Sequence, residues 1–324
     1  MKKHRNYFAL PSAALAFWIG QWLAADGFDS WVWRNPLPEP ACLNGVVYAD
    51  GQFVAVGPGG IVMNSTNGIQ WTRQTLGSRE CFRSVAYGNG LFVAVGSELW
   101  QQGIIFTSSD GLRWTRQDVP SLPPLNSISF GDGIFVASGE SVEVVGPNMQ
   151  SIATSTDGVN WTLRNSGTRA VYDVVFGDGQ FIGVAGSNFI VGSADGVTWK
   201  PRDTGHSEVM LAVTYGNNLF VAVGHDPATG PTNVLTSTDG ITWIGHRSGT
   251  SHFLRGVSYA AGQYVAVGYG GTILTSTDGV VWTLRSSAGG AIEDVVHGSG
   301  RFVVVGGDIL TSPDGVAWTS QRTL

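Results

Sequence analysis

The chain runs to 324 residues with 46 glycines, 13% charged side chains, two cysteines and a formal net charge of −6. An acidic balance with one lysine beyond the first three residues, Lys200, is a poor match for DNA, RNA or an anionic membrane surface. No segment sustains a helical period, and abundant glycine with sparse charge suits many short strands joined by tight turns.

Residues 1–25 read as a signal peptide. Lys2, Lys3 and Arg5 precede an uncharged stretch from Asn6 to Ala25, with small residues at Ala24 and Ala25 just before Asp26. The stretch is also roughly long enough for an uncleaved anchor, although Pro11, Gly20 and Gln21 argue against a membrane span. Cleavage near Ala25 removes three basic residues and takes the net charge from −6 to −9, leaving 26–324 as an exported, extracytoplasmic domain. Residues 31–35, Trp-Val-Trp-Arg-Asn, look like one extra β-strand ahead of the repeating part of the chain. Cys42 and Cys81 hold the same place in two consecutive repeats. In an exported protein they can form a disulfide, and the equal alternative is two small buried apolar groups.

Beyond that point the pattern Ser-x-Asp-Gly-x-x-Trp recurs seven times: Ser65–Trp71, Ser108–Trp114, Ser155–Trp161, Ser193–Trp199, Ser237–Trp243, Ser276–Trp282 and Ser312–Trp318. Its acidic position is filled by Asp110, Asp157, Asp195, Asp239, Asp278 and Asp314, and by Asn67 in the first copy. Such a period marks an array of supersecondary units. The unit at 253–286 shows four β-type runs, a (Arg255–Tyr259), b (Gln263–Val267), c (Thr272–Ser276) and d (Val281–Arg285). Strand b, as in Phe53–Gly57 and Phe92–Gly96, is an unbroken apolar run, as expected of a strand covered on both faces. The motif predicts a tight c–d hairpin in which Asp-Gly reverses the chain and the Asp and Ser side chains accept turn N–H groups. Trp71, Trp114, Trp161, Trp199, Trp243, Trp282 and Trp318 then carry apolar area into the seams between units. Six equivalent aspartates and one asparagine are architecture rather than catalysis.

These motifs resemble the Asp-box (BNR) repeats of β-propellers found in sialidases, sortilin-type receptors, some glucan hydrolases and photosystem II assembly factors. The usual Asp-box has one more residue between Asp and Gly. The similarity is therefore greater to the Ser-Thr-Asp-Gly-x-x-Trp-Thr propellers of exported bacterial proteins. The resemblance implies an all-β fold, a seven-bladed propeller of four-stranded antiparallel blades with strand a innermost. The expected blades span approximately 41–76, 80–118, 124–165, 169–204, 208–248, 252–286 and 290–322. The 31–35 strand would close the ring with, replace or flank the last outer strand. Asp-boxes occur in enzymes and non-enzymes alike, so the resemblance implies a fold and not an activity.

Function is then sought in what does not repeat. In an a-b-c-d meander the a–b and c–d turns lie on one face, and the b–c and d–a connections on the other. The last aromatic of strand a stands nine residues before the glycine ending b in six units, and ten in Phe176–Gly186. From that glycine to the motif serine the count runs 8, 12, 16, 7, 13, 8 and 6, with insertions at 97–102, 140–150 and 225–232. Loops on a rigid scaffold concentrate binding residues, so the b–c/d–a face is the candidate. The position four before the end of strand a reads Asn44, Arg83, Asn126, Tyr172, Leu211, Arg255 and Glu293, beside an apolar column of Leu43, Phe82, Leu125, Val171, Met210, Leu254 and Ile292. A column fixed in place but varied in chemistry is expected at the mouth of the central channel. Arg73, Arg116, Arg164, Arg202, Arg247, Arg285 and Arg322 follow each tryptophan closely, which predicts packing on the outer strand against an aromatic ring or carboxylate.

Arg83, Glu98, Trp100, Tyr172, Arg255 and Glu293 are the candidate ligand-binding residues, with an exposed Trp100 suited to a sugar ring or a peptide side chain. The expectation is a monomeric, non-catalytic recognition or scaffold module for a glycan, a peptide or an envelope protein. One alternative is a sialidase-like glycoside hydrolase using Glu293 or Asp294 as acid near Tyr172; another is an assembly factor whose rim meets a protein partner. The histidines, including His206, His225 and His252, lack metal-ligand spacing, and Gly57-Pro-Gly-Gly60 precedes no helix, so no metal or cofactor is expected.

Overall fold

A computed structural model of the chain describes residues 42–77, 79–141, 149–186, 189–225, 233–287 and 289–321. The expected signal peptide, the 31–35 strand and Arg322 lie outside the described residues. Seven four-stranded sheets, each a consecutive antiparallel meander, make a seven-bladed β-propeller. In blade 1 the strands are Gly45–Ala49 (a), Gln52–Gly57 (b), Ile61–Ser65 (c) and Thr72–Thr75 (d). Every strand a touches strand a of both neighbours, including blade 7 with blade 1, so strand a lines the axis. Blade 7 draws its outer strand, Thr319–Gln321, from its own repeat, and the seam to blade 1 closes by packing.

The apolar runs of strand b explain the core. With both faces covered, Phe53, Val54, Ala55 and Val56 are fully buried, and alternate residues feed the seams on either side. Phe53 and Ala55 join Val303 and Val305 of blade 7, while Val54 and Val56 join Phe82 and Phe92 of blade 2. Each motif tryptophan packs into the seam toward the preceding blade, as Trp71 does against the blade 7 cluster and Trp161 against that of blade 2.

The c–d connection differs from the expected tight hairpin. Strand c ends at the motif serine and strand d begins after the tryptophan, so six residues intervene in blade 1, 66–71. They are held by side chains rather than by one short turn. The Asp157 Oδ1 accepts N–H groups of Val159 and Asn160 at 2.9 and 2.8 Å, and Ser155 Oγ donates to it while accepting the Gly158 N–H. The Trp161 indole N–H closes the loop on the Gly158 carbonyl at 2.9 Å. Asn67 reproduces the same contacts, because its amide oxygen accepts from Ile69 and Gln70. In blade 5 the Arg202 guanidinium takes the Gly240 carbonyl at 2.6 Å, and the buried Trp243 indole nitrogen is left without a partner. The motif glycine is required twice over: Gly68 has φ 72°, and a Cβ there would meet Val303 of the preceding blade at 2.9 Å.

Two register assignments are corrected. Ala185, not Gly186, ends strand b of blade 4, pairing with Val171 as Gly96 pairs with Phe82, so the nine-residue spacing has no exception. The post-tryptophan column is the third residue after Trp, Gln74, Gln117, Arg164, Arg202, His246, Arg285 and Gln321, and the expected aromatic or carboxylate partner is replaced. Arg164, Arg285, Gln117, Gln321 and His246 bond a strand c threonine hydroxyl, at 3.0 Å for Arg164. Arg73, Arg116 and Arg247 stand one residue away from that column; of the seven arginines, Arg116 alone forms an ion pair among the described residues. Cys42 and Cys81 are both free: Cys42 is exposed, while Cys81 is turned inward and its thiol pKa is pushed up by burial.

At the end of strand b a Cβ on Gly96 would stand 2.0 Å from the Cys81 carbonyl oxygen. Gly96→Ala is expected to destabilise the fold by about 1–3 kcal/mol, whereas Ala185→Gly costs about 1 kcal/mol or less. Thermal melts of the two variants check the contrast, and equal melting temperatures would contradict the close approach.

Candidate functional site

All seven members of the variable strand a column line one cavity of about 360 Å³ at the channel mouth. The backbone explains why. In blades 2 to 7 strand a carries a β-bulge at this position, so that Phe82 and Ser84 pair across to strand b while Arg83 between them is unpaired. A bulge re-aims its extra residue, and here it turns Arg83, Asn126, Tyr172, Leu211, Arg255 and Glu293 toward the axis. The preceding apolar column stays buried, from Leu43 at 1% exposure to Met210 at 3%. Trp100 and Glu140, from b–c connections, line the same cavity, which places those two connections on the face of the strand a starts.

The mouth is cross-braced. The Arg83 guanidinium donates to Asn126 Oδ1 and lies 4.9 Å from the Trp100 ring centroid, and among the described residues no carboxylate is within ion-pair distance of it. Arg255 Nε pairs with Glu293 Oε2 at 2.8 Å and stacks 5.5 Å from Tyr269. Tyr269 continues into Phe253 and His225, with ring centroids 5.8 and 4.0 Å apart. Asn44 donates to the Phe82 carbonyl at 2.7 Å and Asn126 to that of Val171 at 3.3 Å, each reaching the next blade.

One residue deeper, a second ring ties blade to blade. Asp294 accepts the Val46 N–H of blade 1 at 2.9 Å and its own Val295 N–H at 2.7 Å. Asp173 likewise accepts from Val213 of blade 5 and from Val174, and takes the Ser127 hydroxyl. Ser84 plays the same part toward Ile128. Strand a has no neighbour on its axial side, so these side chains satisfy its inward N–H groups. Enclosure by protein raises both carboxyls from the usual aspartate range, Asp294 to about 7, with Asp173 and Glu293 adding repulsion.

The structure therefore brings Arg83, Trp100, Tyr172, Arg255 and Glu293 together and leaves Glu98 out. Glu98 Oε2 pairs with Arg116 Nη2 of the outer strand at 2.7 Å, facing away from the cavity. Glu293 is engaged by Arg255 and both Asp294 oxygens by backbone N–H groups, so the two carboxyls proposed from sequence as acids already hold structural partners. Phe253, Tyr269 and Glu140 were not singled out in the sequence; Phe253 and Tyr269 flank connections of ordinary length, which hides them from a search for insertions. Among the described residues no group of three His, Cys, Asp or Glu side chains could hold a metal ion.

No protein-family model matches the chain, and no curated protein does. Solved structures do match over nearly the whole length. A structure titled YCF48 bound to D1 peptide is 18% identical with a TM-score of 0.65, covering 89% of this chain and 95% of that one. YCF48 from Cyanidioschyzon merolae is 17% identical with a TM-score of 0.61, covering 85% and 96%. The WD40 β-propeller domain of Doa1 is 16% identical with a TM-score of 0.63, covering 84% and 93%. At these identities the likeness is one of fold.

The two aspartate populations give opposite pH dependences. An unfolded aspartate titrates near about 4. Asp294 rises to about 7 on folding, so its contribution is complete below pH about 4 and is lost as pH rises through about 7. The exposed motif aspartates run the other way: turn N–H groups lower Asp195 and Asp239 to about 2, and their contribution is lost as pH falls from about 4 toward that value. The melting-temperature difference between the wild type and Asp294→Asn is expected to shrink from pH 4 to 7.5. A difference that stays constant across that range contradicts the assignment.

Proposed function

We propose that this protein is a non-catalytic recognition propeller that binds an extended peptide segment of a partner protein across the channel mouth. The carrying observation is that a column of the repeat whose chemistry varies freely is bulged inward in six blades and converges on a single cavity. The column mixes cationic, anionic, amide, aromatic and aliphatic side chains, whereas the structural column after each tryptophan keeps to Gln, Arg and His. The cavity offers donors and acceptors in an irregular ring, an exposed Trp100 at its edge and a guanidinium, Arg83, without a carboxylate partner among the described residues. That chemistry suits backbone amides, an acidic group over Arg83 and an apolar side chain beside it. The structurally similar YCF48, bound to D1 peptide, supports the class of ligand.

The leader-like 1–25 segment supports an extracytoplasmic or envelope-bound partner. An assembly or scaffold role uses the same site, with the segment belonging to a protein held until it joins its complex. A resemblance to Asp-box propellers belongs to this reading as well, resting on the seven motifs.

Random 12-residue peptides displayed on phage and panned on the purified full chain test the proposal, with selected peptides measured by fluorescence polarisation. Arg83→Ala and Tyr172→Ala are each expected to weaken binding by about tenfold or more. Glu98→Ala leaves it unchanged. Failure to select any peptide, together with glycan-array binding or turnover of fluorogenic glycosides, overturns the reading.

A further inference from the structure

The b–c turn of blade 2 is the one described turn that places two large apolar residues in succession at positive φ. Glu98–Gln101 is closed by the Gln101 N–H on the Glu98 carbonyl at 3.1 Å, and its central residues, Leu99 and Trp100, have φ of 50° and 63°. Two positive φ values in succession call for Asn, Asp or Gly. Five of the a–b turns follow that chemistry, with pairs such as Asp50-Gly51, Asn89-Gly90, Asp132-Gly133 and Asn217-Asn218, and the other two place a small residue, Ala261 or Ser299, before a glycine, all at positive φ. Leucine and tryptophan are among the residues least suited to this backbone.

Burial does not compensate. Leu99 is 57% exposed and Trp100 64% exposed, the latter among the most exposed large apolar side chains described. One face of the indole lies toward the Arg83 guanidinium, which itself lines the cavity, and the remainder is open at the cavity edge. A strained turn displaying two large apolar groups to water, continuous with a polar cavity, is destabilising for the free protein. Its sequence is explained by what it contacts in a complex.

We infer that the Leu99–Trp100 turn is the anchor for an apolar side chain, prolyl or aliphatic, of the extended peptide segment that crosses the channel mouth; this inference rests on the peptide-binding reading above. The indole, backed by a cation and held on a short turn, presents a flat surface to such a side chain at little entropic cost. Peptide specificity then divides, with Arg83 and the cavity ring reading polar groups and the turn reading the apolar residue next to them.

The test replaces the turn with the residues its backbone prefers, Leu99→Asn with Trp100→Gly, and compares melting temperature and affinity for the phage-selected peptides. The double variant is expected to melt about 2–4 °C higher than the wild type and to bind at least about tenfold more weakly. Trp100→Ala alone is expected to lose affinity without a gain in melting temperature, and selected peptides are expected to carry a proline or aliphatic residue at one fixed position. Equal affinity of wild type and double variant for peptides that remain sensitive to Arg83→Ala overturns the anchor and leaves the peptide-binding reading standing. A lower melting temperature in the double variant shows that the side chains serve the fold and also overturns it. Failure to select any peptide, together with glycan-array binding or turnover of fluorogenic glycosides, removes both.

Discussion

The contact on which the structure depends is the clamp made by each Ser-x-Asp-Gly-x-x-Trp loop. Its carboxylate (the Asn67 amide in blade 1) gathers two successive N–H groups, its serine holds the glycine N–H as Ser276 does, and in every blade but the fifth its indole returns to the glycine carbonyl, as in Asp278 and Trp282. With the loop rigid, the tryptophan enters the seam at one angle and the glycine lies against strand b of the preceding blade. Each blade thereby carries the fitting that docks it to its neighbour, and seven such docks close a ring whose sheets bury strand b on both faces. Stability follows from repetition of a local geometry and needs little from charge.

That clamp occupies the c–d end of every blade and leaves the opposite end free. There the inner strands bulge, and the bulge has two consequences. The residue beyond it turns a hydroxyl or carboxylate onto the next blade's N–H group, closing the axial edge of the sheet, as Asp173 and Asp294 do. The bulged residue itself projects into the cavity, where its bonds run between side chains of the column or to the next blade's carbonyl rather than to its own strand b. Scaffold and proposed recognition surface are thus separated by a single residue step along strand a, which is how arginine, tyrosine, leucine, glutamate and asparagine can all occupy one place in the repeat.

Much of this was legible in the residues. The seven motifs announce the propeller because every copy must solve the same backbone problem, and constant c–d loops against variable b–c loops identify the candidate face. The bulge column was visible as a position of fixed place and varied type. What escaped detection depends on where side chains point. Glu98 shares an insertion with Trp100, yet strand alternation sends it to Arg116 of the outer strand. The arginine column was displaced by one residue in four blades, because glutamine and histidine can also hydrogen-bond strand c from the third position after the tryptophan. Ala185 concealed the register of blade 4 by standing where five other blades have glycine in the same pairing or turn. The stack of His225, Phe253 and Tyr269 joins residues from a strand end and two connections, so no local pattern links them.

The central claim is that the bulge column serves recognition and not folding. The most direct test is one chain in which Arg83, Tyr172, Leu211, Arg255 and Glu293 are all replaced by asparagine, the residue already present at positions 44 and 126. Its circular dichroism and thermal melt should stay close to the wild type while binding of selected peptides disappears. A variant that fails to fold, or one that binds those peptides as the wild type does, would contradict the account.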